Sequence, residues 1–177
     1  TTCVLFGDGA GAAVLAKGEG SGAELRGFFL EADGSNPSLL CQPGGGSAQP
    51  ASSDSLRARQ HFLKMNGKEI FKVAVRLMER AALELLEKHG LTPADVVCVI
   101  PHQANARIVE SLAQRLELPM DRFFCNLDRY GNTSAASIPI ALNEARQERN
   151  FSNGDHILMV AFGAGLTWAS GLLRWTK

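Results

Sequence analysis

The chain has 177 residues, 45% hydrophobic and 20% charged, with a formal net charge of zero at neutral pH. Such a length normally makes one globular unit with a sizeable core, and the balanced charge excludes binding to nucleic acid or anionic membrane by bulk electrostatics. No uncharged apolar run is long enough to span a membrane, and no signal or transit peptide is visible. Cys3, Cys41, Cys98 and Cys125 form no Cys-x-x-Cys pair, so buried thiols in a reducing compartment, the cytoplasm, are expected. The sequence opens at Thr1-Thr2-Cys3-Val4 without Met and already strand-like, which leads us to expect a piece of a longer protein.

Residues 4–6 and 12–15 predict two short strands around the glycine turn Gly7-Asp8-Gly9-Ala10-Gly11. A phosphate-cradling loop would need a long helix after its glycines, whereas Lys17-Gly18-Glu19-Gly20 breaks the chain too soon. Residues 25–30 read as a further strand. Residues 34–55, rich in Gly, Ser, Pro and Gln, read as a loop long enough to cover a site. Asn66, with Glu69 three residues on, marks a helix start. Ile70, Ala74, Leu77, Met78, Ala81, Ala82, Leu85 and Leu86 then recur at helical spacing until Gly90, and the small members permit close packing.

Residues 96–100 form a continuous apolar run that suits a buried strand. Ile108, Val109, Leu112, Ala113 and Leu116 predict a second helix ended by Pro119, and residues 123–125 a short strand. Residues 135–146 predict a third helix with Pro139 in its first turns, and 157–162 a buried strand. Residues 163–165 turn the chain back into a last strand over 166–175. From residue 66 the order is helix, strand, helix, strand, helix, strand, strand, an α/β layer with helices covering a sheet.

Open α/β sheets place ligands at the carboxyl ends of strands. His102 follows the first buried strand, Asn132 follows the short one, and Gly163-Ala164-Gly165 follows the third. A neutral imidazole, a carboxamide and a backbone amide are all hydrogen-bond donors, and together they stabilise negative charge developing on a carbonyl oxygen. Each feature alone has an ordinary reading: a structural histidine beside Pro101, a Gly-Asn turn, a hairpin. Their occurrence at successive strand ends is harder to explain as three turns.

The motifs Pro101-His102-Gln103-Ala104-Asn105, Asp128-Arg129-Tyr130-Gly131-Asn132-Thr133-Ser134-Ala135-Ala136-Ser137 and Phe162-Gly163-Ala164-Gly165-Leu166-Thr167-Trp168, with Phe6-Gly7-Asp8-Gly9-Ala10-Gly11-Ala12, are together highly specific. The chain resembles the β-ketoacyl-[acyl-carrier-protein] synthase III family over its whole length, in order, but only the carboxyl-terminal half of a usual member. The resemblance implies a thiolase-like fold, a mixed sheet covered by helices, with two similar halves per subunit and a homodimer. Residues 1–33 would then be end strands of the first half, 34–60 a loop and 61–177 the second half.

The family condenses an acyl-CoA with malonyl-acyl carrier protein, releasing CO2, and needs no metal or other cofactor. By resemblance His102 and Asn132 are the catalytic donors, and Gly163 and Ala164 supply the oxyanion amide. Gln103, Ala104, Asn105, Ala106 and Arg107, with Lys72, match the carrier-protein contact, and Asn66, Gly67 and Phe71 a segment near the pantetheine. Lys68 stands where the family often has Asn. His61, His89 and His156 match nothing catalytic and are expected in solvent. The family's nucleophilic Cys begins a buried helix in the amino-terminal half. None of the four cysteines here has that setting, so the chain alone should lack acyl transfer. An acyltransferase of secondary metabolism and a non-catalytic, carrier-protein-binding half-subunit are the alternatives.

Overall fold

The apolar run at 96–100 becomes β4 (Val96–Pro101), which lies parallel to β5 (His156–Gly163). A tight turn sends β5 into antiparallel β6 (Thr167–Thr176), which pairs in turn with antiparallel β1 (Gly22–Ala32). The four strands form one mixed sheet in the order β1-β6-β5-β4. The computed structural model describes residues 4–18 and 22–176. The strand-like opening at Thr1-Thr2-Cys3 and the break at Glu19-Gly20 lie outside the described residues.

Helix α2 (Gly67–Lys88) covers one face of the sheet. Asn66 caps it through Oδ1, which accepts from the Glu69 amide at 3.4 Å, and all eight of the apolar residues at helical spacing are buried. Ala81 and Ala82 have no exposed surface, so the helix sits close to the sheet, and Ser170 Oγ donates to the Ala81 carbonyl at 2.6 Å. Residues alternate across a strand: Phe29, Trp168 and Leu172 face α2 in the main core, together with α3 (Ala106–Arg115). On the opposite face α5 (Ser137–Glu148) packs Ala141 and Ala145 against Cys98, Ile100 and Ile157.

Four expectations change. Residues 4–15 form no strands: Phe6 makes a single parallel bridge to Asn132, and among the described residues no strand lies alongside to pair with the rest. The glycines serve close passage instead. A Cβ on Gly7 would stand 2.4 Å from the Tyr130 carbonyl oxygen, and one on Gly11 would stand 2.3 Å from Pro139 Cγ. Residues 123–125 likewise make only the bridge Val99–Phe123, because the chain then turns away into α4 (Leu127–Tyr130).

The segment from residue 34 carries structure of its own. It includes a 3-10 turn at Pro37–Leu39, β2 (Leu40–Cys41) paired with β3 (Lys64–Met65), and α1 (Ser53–Arg57) capped by Ser52. His61 and His89 are not free in solvent. His61 Nε2 lies 2.8 Å from Ser55 Oγ, and His89 lies against the carbonyls of Leu85 at 2.8 Å and Arg26 at 3.2 Å. Residues 22–32 are laddered to β6 within the sheet that carries the rest of the chain.

Candidate active site

Pro101-His102-Gln103-Ala104-Asn105 divides its work among its residues. Asn105 is the helix cap: its Oδ1 accepts from the Arg107 amide at 2.9 Å. Gln103 is a strut, 2% exposed, with Nε2 donating to the carbonyls of Pro101 (2.7 Å) and Phe124 (3.2 Å) and Oε1 accepting from the Asn126 amide (3.1 Å). It therefore offers nothing to a docking partner, which corrects its assignment to the carrier-protein edge. His102 is pinned by its own amide, which donates to the Val160 carbonyl at 2.8 Å.

His102 Nδ1 lies 2.6 Å from Ser137 Oγ at the start of α5. The same Oγ accepts from the Gln103 amide at 3.4 Å, and no other acceptor for its proton exists among the described residues. When the hydroxyl donates to Nδ1, the ring proton sits on Nε2. Burial lowers the His102 pKa from its ordinary 6.5, so the imidazole is neutral at pH 7.

Asn132 is placed by two other contacts. Its carbonyl accepts from the Gly7 amide at 2.8 Å, and its side-chain Oδ1 accepts from the Ser134 amide at 2.9 Å. The carboxamide NH2 is left as a donor with no partner among the described residues. Glu144 of α5 holds the preceding turn through Tyr130 Oη, Asn126 Nδ2 (2.8 Å) and Arg129 (2.9 Å). The hydrogen bonds from Tyr130 and then Asn126 keep its carboxyl below the usual range. Across the site, Thr167 Oγ1 donates to the Ala164 carbonyl at 3.1 Å, and the Ala164 amide has no partner among the described residues.

His102, Asn132, Gly163 and Ala164 all line one cavity of about 760 Å³, walled by apolar side chains such as Met78, Phe162 and Trp168. Gly67, Phe71, Ala104 and Asn105 line it too, whereas Asn66, Ala106, Arg107 and Lys72 do not. Ala106 and Arg107 are exposed at its rim, and Lys72 pairs with Glu69 at 3.2 Å. Sequence reasoning gives no role to Ser137 or Glu144: Ser137 closes the motif around Asn132, and only its distance from His102 gives it one.

Three cysteines lie among the described residues. Burial pushes the Cys98 thiol up to about 11, and desolvation also raises Cys125, although part of its surface is open. Cys41 lies in the short β2. No group of three or more metal-ligating side chains occurs among the described residues, and no described helix is long and apolar enough to cross a membrane.

The sheet, its covering helices and the donors at its strand ends define a thiolase-like α/β protein. Residues 86–175 match the family model for the 3-oxoacyl-[acyl-carrier-protein (ACP)] synthase III C-terminal region, and residues 1–34 match that for 3-oxoacyl-[acyl-carrier-protein (ACP)] synthase III. The chain belongs to the 3-oxoacyl-[acyl-carrier-protein] synthase III family.

It is 53% identical over 176 residues to the β-ketoacyl-[acyl-carrier-protein] synthase III of Caldanaerobacter subterraneus subsp. tengcongensis, covering 99% of this chain and 53% of that protein. Identity to the Roseiflexus sp. (strain RS-1) protein of the same name is also 53%, over 175 residues, covering 99% of this chain and 53% of that protein. The crystal structure of the Aquifex aeolicus VF5 3-oxoacyl-[acyl-carrier-protein] synthase III superposes with a TM-score of 0.83 at 47% identity, covering 98% of this chain and 51% of that one. The chain spans about half the length of the curated relatives it matches.

Proposed function

We propose that this chain supplies the decarboxylating half of a condensing active site that joins an acyl group from acyl-CoA to malonyl-acyl carrier protein at the start of fatty-acid synthesis. The observation that carries the reading is the convergence of His102, Asn132 and the free Ala164 amide on one cavity. His102 Nε2–H and the Asn132 carboxamide donate to the malonyl thioester oxygen. The C–C bond to the carboxylate breaks, CO2 leaves, and the electron pair becomes an enolate held by the two donors. The enolate carbon attacks the acyl thioester, the Ala164 amide receives the tetrahedral oxyanion, and the nucleophile leaves as thiolate. Acyl-CoA gives its acyl group to the cysteine and leaves as free CoA, so the products are CoA, CO2 and 3-oxoacyl-acyl carrier protein, formed from acyl-CoA and malonyl-acyl carrier protein without a cofactor.

In this reading the nucleophilic Cys comes from an amino-terminal half, and the assembly is a cytoplasmic homodimer. Exposed Phe6, Phe28 and Leu30 support a partner surface beside the site. Ala104 to Arg107 meet the acidic carrier protein with Lys72 alongside, and Gly67 and Phe71 flank the pantetheine, with Asn66 capping the helix behind them. The intact donor pair favours decarboxylation over acyl transfer to another acceptor in secondary metabolism. The test is to supply the chain with an amino-terminal half bearing that Cys. Acylation by acyl-CoA followed by CO2 release from malonyl-acyl carrier protein is expected; acylation without CO2 release sinks the proposal.

A further inference from the structure

Asn126 stands at the N-cap of α4, where an asparagine side chain ordinarily accepts from an amide of the first turn. It makes no such bond. Its Nδ2 donates instead to Glu144 Oε2 of α5 at 2.8 Å, while its amide donates to Gln103 Oε1 at 3.1 Å. Its carbonyl accepts from the amides of Arg129 and Tyr130, which starts the turn leading to Asn132. Glu144 also receives Tyr130 Oη and, at 2.9 Å, Arg129, so three donors of this one turn meet on its carboxylate. Arg129 and Tyr130 are exposed, and surface ties of that kind hold weakly. Asn126 is buried, and its bond to the charged carboxylate is the strong one of the three.

Ser137 and Glu144 lie about two turns apart on α5 and so share a face. Ser137 Oγ is the group 2.6 Å from His102 Nδ1, and Gln103 follows His102 directly. The contacts therefore close a ring that runs from His102 through Gln103, Asn126, Glu144 and Ser137 back to His102. We propose that Asn126 is a positioning residue for Asn132: its side chain ties the turn that carries the carboxamide to the helix that holds the imidazole, so that the two donors keep one separation across the cavity. The forgone cap is the local sign of this role, since the side chain gives up a bond within its own helix to make one to another. Its part in decarboxylation rests on the function proposed above, whereas the placing of Asn132 does not.

The test reads both half-reactions in the completed enzyme. Asn126→Ala keeps the amide that meets Gln103 and deletes only the bond to Glu144. CO2 release from malonyl-acyl carrier protein should fall roughly tenfold, the factor for one hydrogen bond to a charged group, with acyl loading unchanged. On an Asn132→Ala background the same substitution should cost less than about twofold, because a residue acting through Asn132 then has nothing left to position. A like loss in both backgrounds or in both half-reactions, or no loss of CO2 release at all, overturns the proposal. The second readout is the ¹⁵N spectrum of the chain without substrate, in which the Asn132 NH2 is assigned by its disappearance in Asn132→Ala. It should shift in Asn126→Ala while that of Asn36, in the distant loop, stays in place; an unmoved Asn132 resonance also overturns the proposal. If the parent releases no CO2, the condensation reading falls by itself and the spectrum still decides. Should Asn126→Ala unfold, Glu144→Gln, which keeps the volume and removes the charge, is read in the same two ways.

Discussion

Replacing Gln103 with Leu separates a buried strut from a surface contact. The side chain makes three internal hydrogen bonds, to the carbonyls of Pro101 and Phe124 and from the amide of Asn126, and is 2% exposed. Leu fills a similar volume but strands all three backbone groups away from water. At about 1 kcal/mol net per bond the cost is about 3 kcal/mol, and more if the stranded groups find no water. For a chain of this size that is a fall in Tm of roughly 6–12 °C. Chemical denaturation of parent and variant, with equal m-values, measures it directly. A loss below about 1 kcal/mol would mean that Gln103 faces solvent and that the docking edge begins one residue earlier than we place it.

Ser137→Ala removes the hydroxyl that sets the His102 tautomer. In the completed enzyme CO2 release should slow about fivefold, the equivalent of about 1 kcal/mol, with Cys acylation unchanged; equal loss in both half-reactions argues for a merely structural serine. The acid limb of CO2 release should have its midpoint below pH 6.5, because burial depresses the His102 pKa and protonating Nδ1 ends its acceptance from the Ser137 hydroxyl that holds the ring. The matching contribution to stability is complete above pH 6.5 and is lost as the pH falls through the depressed folded value; a limb at or above 6.5 refutes the assignment. Arg107 is exposed and has no ion-pair partner among the described residues, so Arg107→Glu should raise the Kd for carrier protein several-fold, more at low salt, without altering acylation from acyl-CoA. Salt-independent binding in both proteins would remove Arg107 from the docking edge.

Where periodicity is strong, the fold could be read from the residues. The eight apolar positions of α2 and its Asn66 cap stand as expected, and the strands expected at 96–100 and 157–162 run one residue or two longer, because burial of one helix stripe or strand face is what such spacing encodes. The failures are non-local. Residues 4–15 look like strands by composition, yet a strand exists only where a neighbour offers a ladder, and among the described residues only Asn132 does. Nor does spacing distinguish a turn glycine from Gly7, which is required by the Tyr130 carbonyl far along the chain. At the site, donor chemistry and strand ends point to His102, Asn132 and Ala164, and the fold brings all three to the lining of one cavity. Their supports, Ser137 and Glu144, become visible only when α5 is folded against them. Gln103 is assigned to the docking edge by the resemblance of its segment, whereas in the fold three backbone groups take up its carboxamide.

The central claim is that His102 and Asn132 act together on the malonyl thioester and not on the acyl transfer that precedes it. The decisive measurement is the pair of half-reactions in the completed enzyme: acyl loading from acyl-CoA, and CO2 release from labelled malonyl-acyl carrier protein. Removing one preorganised donor costs roughly 10²–10³ in rate. His102→Ala and Asn132→Ala should each lower CO2 release by that factor and leave acyl loading within about twofold of the parent. Loss of acyl loading with CO2 release intact would contradict the account.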